Sequence, residues 1–232
     1  MKNLNTAIIV LSISVLGCKS SNTATSTVDV SIPDNDRVAS ASTSEKVQTV
    51  TVGDPQNNSA VALILGSDVG GSEGVYISRQ MDIQASDLGK GQMRGMRILR
   101  VGEGIKITCD GNLMFTKNSS VLSDDSKKSL DQISIALKKY NNTKLVIEGH
   151  TDGSGSATHN HVLSEQRAQA VANYLTSQQV AAGRIKVIGR GESQPLFANK
   201  TEEGRRQNRR VEIVILADDA LKKEAKSNSA SN

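Results

Sequence analysis

Apolar runs in the second half of the chain predict a small α+β domain. Four runs have the length and pattern of strands: residues 105–109, 144–148, 185–189 and 211–216. Apolar side chains recur at helical spacing between residues 123 and 140 and again between 160 and 175. The resulting order, βαβαββ, predicts a four-stranded mixed sheet with two helices packed on one face.

The two predicted helices carry recognisable end signals. Ser123 is a good N-cap for the first helix, and acidic residues follow it in the first turn. Lys138 and Lys139 lie in the last turn, where positive charge interacts favourably with the helix dipole. Asn160 is the predicted N-cap of the second helix, because its side chain can accept from first-turn N–H groups.

The start of the chain has the pattern of a bacterial export signal. Lys2 supplies a basic beginning, and an apolar run extends from Ala7 to Leu16. This run is shorter than the ~20 residues that a membrane-spanning helix needs. The sequence Leu16-Gly17-Cys18 resembles the lipobox of bacterial lipoproteins, which implies cleavage before Cys18 and lipidation of that residue. An ordinary signal peptide with a chance cysteine is the alternative.

Composition divides the chain into five segments. Residues 18–60 are rich in Ser, Thr, Asn and Asp and poor in large apolar side chains, which predicts a disordered linker. Such a linker, at ~5–6 Å × √n, suits an anchor in one layer and a target in another. The predicted segments are a signal peptide at 1–17, the lipidated cysteine and linker at 18–60, a glycine-containing helical segment at 61–96, the folded domain at 97–216 and a flexible tail at 217–232.

The two cysteines of the chain have different predicted roles. With Cys18 lipidated, Cys109 has no partner, so the sequence predicts no internal disulfide. The alternation of residues 105–109 places Cys109 with the apolar set. We therefore expect it to be a small buried hydrophobe and not a nucleophile.

The polar loop between the second strand and the second helix is the main candidate for a binding site. It begins at Gly149 with the sequence Gly-His-Thr-Asp-x-x-Gly, which places Asp152 in the loop. Arg167 follows on the helix, on the same side as Asn160. A carboxylate and a guanidinium that border one concavity would suit a zwitterionic ligand, with its ammonium at Asp152 and its carboxylate at Arg167. Alternatively, the two side chains pair with each other as a structural salt bridge.

This motif, with Asn160, Ser164 and Arg167 at their spacing, resembles the peptidoglycan-binding domain of the OmpA-like family. That family includes peptidoglycan-associated lipoproteins and flagellar stator subunits. A second matching signature lies at residues 189–195 and 199–211, and the resemblance covers residues 97–216. It implies a lipid-anchored outer-membrane protein, facing the periplasm, that binds diaminopimelate-type peptidoglycan non-covalently. The alternative is a scaffold of an envelope or secretion complex that uses the same domain to dock a partner protein.

The resemblance also implies which residues contact the ligand. Asp152 would bind the ammonium and Arg167 the carboxylate of a diaminopimelate residue. Further contacts would come from Asn118, Asn160, Thr151 and Arg209. For the segment around Phe115, the alternative is that Phe115 belongs to the core and Asn118 to a turn.

Charge and motif content argue against other functional classes. The net charge is +4 and basic residues cluster between positions 184 and 210, but export and an aromatic content of 2% do not favour nucleic-acid binding. Glu148, His150 and Asp152 are the candidate catalytic set, yet no Gly-x-Ser-x-Gly elbow or phosphate-binding loop is present. His159 and His161 have no third ligand at a recognised spacing. The sequence therefore predicts neither an enzyme nor a metal or cofactor site.

Overall fold

Helices alternate with the strands of one mixed sheet in the computed structural model, which describes residues 59–91, 93–116 and 119–230. The elements follow in the order α1 (Ser59–Leu65), α2 (Gly71–Gly89), β1 (Met96–Val101), β2 (Gly104–Asp110), α3 (Gly111–Met114), α4 (Asp124–Lys139), β3 (Thr143–His150), α5 (Ala157–Ser177), a 3₁₀ turn (Ala182–Arg184), β4 (Ile185–Gly191), α6 (Glu202–Asn208), β5 (Arg210–Ala217) and α7 (Asp219–Ser229).

The sheet confirms the predicted α+β class but has five strands, in the order β1-β2-β5-β3-β4. The β3–β4 pair is parallel, and the other pairs are antiparallel. The prediction of four strands is wrong because it omits β1, an edge strand that pairs only with β2. Leu99 on this strand is apolar but 48% exposed, so the apolar residues of β1 do not all lie on one buried face and do not form a recognisable strand pattern.

The main core lies between the sheet and a layer of helices. The predicted helices α4 and α5 pack there, and residues of α2 and α7 join them. Fully buried members include Ile107, Leu130, Ile147, Val171 and Ile213. Aliphatic side chains thus supply nearly all of the apolar burial that stabilises the domain.

The other face of the sheet carries a second, smaller cluster under α1. Ile64 of α1 packs against Val146, Val214 and Leu216. Alternation along β3 and β5 puts these residues on the face opposite the main core. Both faces of the central strands are therefore buried.

Helix α2 is held at its N-terminus by a carboxylate from the β1–β2 turn. Glu103 accepts hydrogen bonds from the backbone N–H groups of Val69 and Gly70, at 2.8 and 2.7 Å. Asp68 in turn accepts from the backbone N–H of Glu103 at 2.9 Å. Because Gly70, the N-cap residue, has no side chain to cap the helix, Glu103 performs that role from another element.

The end of the described chain differs from the flexible tail that the sequence predicts. Residues 219–229 form α7, and the side chain of Asp218 caps it by accepting from the N–H groups of Ala220 and Leu221. Leu221 and Ala225 are buried against the main core. Their spacing gives α7 one apolar face, which explains why it docks.

Cys109 is fully buried, and burial, followed by the nearby Glu212 carboxylate, raises the pKa of its thiol to about 12. The thiol is therefore protonated and unreactive at neutral pH, as predicted. Within the described part of the chain, no helix combines the length and apolar character needed to cross a membrane.

Candidate functional site

The candidate site is built on the loop that leaves β3 and enters α5. Thr151 opens this loop, and its backbone N–H donates to the carbonyl of Gly191 at the end of β4, at 2.9 Å. Its hydroxyl is buried and has no hydrogen-bond partner among the residues described. The loop is therefore fixed to the neighbouring strand from its first residue.

Close packing of α5 against β3 also fixes the position of the loop. A Cβ atom on Gly149 would lie 1.9 Å from the carbonyl oxygen of Ser164, well inside van der Waals contact. The Ser164 hydroxyl also accepts from the N–H of Gly191 at 2.9 Å. Only glycine at position 149 allows the helix to approach this closely.

Asp152 is the acidic group of the site, and it is already paired. Its Oδ1 accepts from the backbone N–H of Ser154 at 2.9 Å, and its Oδ2 accepts from Arg209 Nη1 at 2.5 Å. Burial alone would raise the pKa of this carboxyl, but the bonds from Arg209 and Ser154 outweigh it and lower that pKa. Asp152 is therefore ionised and held in one orientation.

Arg167 lies on the face of α5 that turns toward the loop, and it is 8% exposed. Its Nε donates to the carbonyl oxygen of Ser119 at 3.2 Å, and its guanidinium carbon lies 5.3 Å from the centroid of the Phe115 ring. Among the residues described it forms no ion pair, and its two terminal nitrogens have no hydrogen-bond acceptor. Burial and the neighbouring Arg209 lower its pKa, which the charge of Asp152 partly offsets.

The salt bridge considered between Asp152 and Arg167 is therefore not formed. The partner of Asp152 is Arg209, which follows α6 and lies far away in sequence. Arg209 also donates to Glu202 and to the Asn112 side chain, each at 2.9 Å. Burial would lower the pKa of Arg209, but its bonds to Glu202 and Asp152 raise it.

Asn160 holds the loop in place from within the first turns of α5. Its amide donates to the carbonyl oxygens of Ser154 and Asp152, at 3.0 and 3.4 Å, and to the Glu192 carboxylate at 2.5 Å. The predicted N-cap role of Asn160 is wrong, since α5 begins at Ala157 and Ser156 caps it. The helix starts earlier because Ser156 also has a capping side chain.

The structure thus brings Thr151, Asp152, Asn160, Arg167 and Arg209 to one end of the sheet. Asn118, the remaining predicted contact, and the predicted lipidation site Cys18 lie outside the described residues. The sequence analysis did not identify Glu192 or the Ser119 carbonyl. Glu192 belongs to the second signature, so the sequence could have suggested it. The Ser119 contact is made by a backbone carbonyl, which any residue type can supply, so the sequence could not suggest it.

A separate buried cluster could be considered for a metal ion. Glu148, His150 and Glu212 place one potential ligand atom each within 4.8 Å of one another. Arg190 donates to Glu148 at 2.6 Å and Arg210 to Glu212 at 2.8 Å. Lys106 also lies 3.6 Å from Glu212, so the described cations already compensate the two carboxylates. This arrangement is a buried ion-pair network, and adding a cation to it would leave a large uncompensated positive charge.

Comparisons with known proteins identify the family of the chain. A model of the OmpA family matches residues 114–209. The chain is 37% identical over 149 residues to the probable lipoprotein YiaD of Escherichia coli, covering 63% of this chain and 66% of YiaD. It is 38% identical over 116 residues to the outer-membrane lipoprotein YfiB of Pseudomonas aeruginosa, covering 50% of this chain and 69% of YfiB.

Among solved structures, the cell wall anchor of the T6SS from Pseudomonas aeruginosa superposes with a TM-score of 0.52 at 31% identity. The match covers 60% of this chain and 97% of that one. The residues that the family model matches include the loop after β3 and the helix that carries Arg167. The chain therefore belongs to the OmpA family.

Proposed function

We propose that this protein is an outer-membrane lipoprotein whose folded domain binds peptidoglycan non-covalently through the diaminopimelate residue of its stem peptide. The observation that carries the proposal is the unpaired guanidinium of Arg167 beside the anchored carboxylate of Asp152. The names of YiaD and YfiB, and the description of the cell wall anchor, support the location and the target. Binding without catalysis is proposed, and none of these three names describes an enzyme.

In this proposal the two charged ends of the diaminopimelate side chain are recognised by different elements. Arg167 binds the carboxylate, because its planar fork suits two parallel hydrogen bonds. Asp152 binds the ammonium through lone pairs that Ser154 and Arg209 leave free. Thr151, Asn160 and Arg209 line or support the same site, and Asn118 is a further contact that the family resemblance implies.

The anchor is proposed from the sequence alone, since residues 1–58 lie outside the described residues. Residues 1–17 would be removed, Cys18 would carry the lipid, and the linker up to residue 60 would reach from the membrane to the wall. Cys18→Ala should then move the protein from the membrane fraction to the soluble fraction. Continued fractionation with the outer membrane after a carbonate wash would contradict the anchor.

The site is tested by co-sedimentation of the folded domain with purified diaminopimelate-type wall. Arg167→Gln should weaken binding while the melting temperature stays near that of the wild type, whereas Asp152→Asn, which also loses its ion pair with Arg209, should both weaken binding and lower the melting temperature. A charge-assisted hydrogen bond contributes ~1.5–3 kcal/mol, so losing the Arg167 contact should lower affinity roughly 10- to 150-fold. Repeated stems in the wall amplify this difference in a sedimentation assay.

Arg206→Gln is the matched control. Arg206 lies on α6 near the site, but it pairs with Glu203 and Asp110 and not with Asp152. The Arg206→Gln variant should therefore bind the wall as well as the wild type does. Equal wall binding by Arg167→Gln and Arg206→Gln would refute the proposed site.

A further inference from the structure

A second cavity, which we call the Glu192 pocket, adjoins the proposed site. Its volume is about 310 Å³, and small-ligand sites in proteins begin at roughly that size, ~300 Å³. The pocket is lined by residues of α5 and of the end of β4: Ala157, His161 and residues 189–193. The Asn160 side chain connects it to the proposed site, because its amide donates to the Asp152 carbonyl oxygen at 3.4 Å and to the Glu192 carboxylate at 2.5 Å.

The walls of the Glu192 pocket are fixed by the packing of β4 on α5. A Cβ atom on Gly189 would lie 2.8 Å from the Cβ of Glu165, so strand and helix are in close contact there. The Gly191 N–H donates to the Ser164 hydroxyl, and the Gly191 carbonyl accepts from the Thr151 N–H, each at 2.9 Å. A ligand would therefore enter a cavity that is already formed, and little binding free energy would be lost in ordering its walls.

The polar groups of the pocket are available to a ligand but include no uncompensated guanidinium or ammonium. Glu192 accepts from Asn160 with one oxygen and forms no ion pair within the described residues. The charge of Arg190 is compensated by Glu148, which accepts from it at 2.6 and 3.1 Å. The imidazole of His161 is exposed and makes no hydrogen bond among the residues described. In its neutral form an imidazole offers one donor and one acceptor.

These groups suit an uncharged ligand that is rich in hydroxyl and amide groups. A carboxylate or a phosphate would meet the Glu192 carboxylate with no free cation to bind, which is unfavourable. An apolar group would remove the polar groups of the pocket from water without replacing their hydrogen bonds. The hydroxyl and acetamido groups of a sugar can donate to the carboxylate, and they can donate to and accept from the imidazole.

We infer, on the basis of the proposed function, that the Glu192 pocket is a second subsite for peptidoglycan, which binds an N-acetylated amino sugar of the glycan strand. The stem peptide occupies the site at Asp152 and Arg167 at the same time. Recognition then extends from the stem to the sugar that carries it, and the two subsites share Asn160 as their common wall.

The covalent structure of peptidoglycan is compatible with two adjacent subsites. L-Ala and γ-linked D-Glu separate the diaminopimelate residue from the amino sugar, and at ~3.3–3.6 Å per residue they span about 7 Å. The Glu192 carboxylate and the Asp152 backbone are bound by the same nitrogen of Asn160, so the two subsites are equally close. One continuous ligand can therefore reach both.

The test compares three soluble ligands by isothermal titration of the wild-type folded domain. They are the stem tripeptide L-Ala-γ-D-Glu-meso-diaminopimelate, the same tripeptide attached to its N-acetylglucosaminyl-N-acetylmuramic acid disaccharide, and the tripeptide extended by D-Ala. The disaccharide should raise affinity at least about fivefold, which corresponds to one additional net hydrogen bond. The D-Ala extension should raise it by less than about twofold, because its carboxylate finds no free cation in the Glu192 pocket.

Two substitutions should remove the gain from the disaccharide without changing the affinity for the tripeptide. Ala157→Phe places a ring in the pocket from an exposed position of α5, and His161→Ala removes the imidazole. Neither side chain belongs to the diaminopimelate site. The matched controls are Thr158→Phe and His159→Ala, which change exposed neighbours that do not line the pocket. Both controls should keep the fivefold gain, and all four variants should keep the wild-type melting temperature.

Equal affinity of the wild type for the tripeptide and for its disaccharide form would overturn the inference. A gain that persists in both Ala157→Phe and His161→Ala would also overturn it, because the sugar would then bind elsewhere. A gain from D-Ala larger than the gain from the disaccharide would identify a peptide subsite and not a sugar subsite. If the wild type binds none of the three ligands, the proposed function itself is rejected, and the inference with it.

Discussion

Lowering the pH through the range in which an unfolded histidine ionises should destabilise this domain, because of His150. The ring is 1% exposed, and neither nitrogen has a hydrogen-bond partner among the residues described. Burial, followed by the charges of the arginines and the lysine that face it, lowers its pKa well below 6.5. The charged groups around it are Glu148, Glu212, Arg190, Arg210 and Lys106.

The magnitude follows from the difference in bound protons. In the unfolded chain His150 ionises near pH 6.5, whereas in the folded protein it stays neutral to a much lower pH. As the pH falls below 6.5, the unfolded state therefore binds one more proton, and the free energy of unfolding falls by up to ~1.4 kcal/mol per pH unit. Between pH 7.5 and 5.5 the expected loss is about 1.4 kcal/mol. Above pH 7.5 the stability should be independent of this group.

Urea unfolding at pH 7.5, 6.5 and 5.5 measures this loss. The prediction for His150→Asn concerns only the pH dependence of its stability. Between pH 7.5 and 5.5, its free energy of unfolding should fall by about 1.4 kcal/mol less than that of the wild type. His159→Gln, an exposed position on α5, is the control and should keep the wild-type slope. Glu202 and Glu203, whose pKa values are lowered by arginine hydrogen bonds, act only at lower pH. Parallel pH profiles for the wild type and His150→Asn would refute the reasoning.

Three substitutions test the packing that positions the site, each by thermal and urea denaturation. Gly149→Ala should lower the free energy of unfolding by several kcal/mol, because its Cβ would collide with the backbone of Ser164, which cannot move away. A loss below ~1 kcal/mol would contradict the close approach of α5 to β3. Gly89→Ala on α2 meets nothing within 4 Å and should be neutral or stabilise by up to ~1 kcal/mol, and clear destabilisation would contradict this. Glu148→Gln removes the partner of Arg190 and should cost about 3 kcal/mol, and a loss under ~0.5 kcal/mol would mean that the buried pair is unimportant.

The local pattern was sufficient for most of the secondary structure. Ser123 caps α4 as predicted, with its hydroxyl accepting from the N–H of Ser126 at 3.3 Å. The strand runs were also identified correctly, because β2 alternates apolar and polar residues, and β3 and β5 contain apolar runs of strand length. Strand β1 was missed because an edge strand exposes part of both faces.

The positions of α2 and α7 could not be predicted from local pattern. Their docking depends on contacts between distant parts of the chain, such as the 2.6 Å hydrogen bond from the Tyr76 hydroxyl to Glu224. Asp87 of α2 is likewise bound by Lys139 and the Tyr140 hydroxyl of the α4 end, at 2.5 and 2.6 Å. Tertiary contacts of this kind decide where both helices pack.

At the site, too, the local motif was predictable from the sequence, but the contacts from distant segments were not. The spacing of Asp152 and Arg167 follows from one local unit, a strand, a loop and a helix, so their positions were predictable. Their partners were not, because Arg209 reaches Asp152 from α6 and Phe115 reaches Arg167 from the segment after β2. Local spacing allowed an Asp152–Arg167 salt bridge, and only the packing of these two distant segments decided against it.

If the site binds a zwitterion as proposed, this difference affects the free energy of binding. The loop after β3 is held mainly through its backbone, by the Gly191 carbonyl and by the Asn160 amide, and the charged side chains do not close on each other. A mutual salt bridge would have to be broken before a zwitterion could enter, at a cost in binding free energy. Support from separate segments keeps Arg167 unpaired and Asp152 oriented before any ligand arrives, so less binding free energy is lost in reorganisation. Transferring the motif alone to another βαβ unit should therefore reproduce the positions of the two charges but not their readiness to bind.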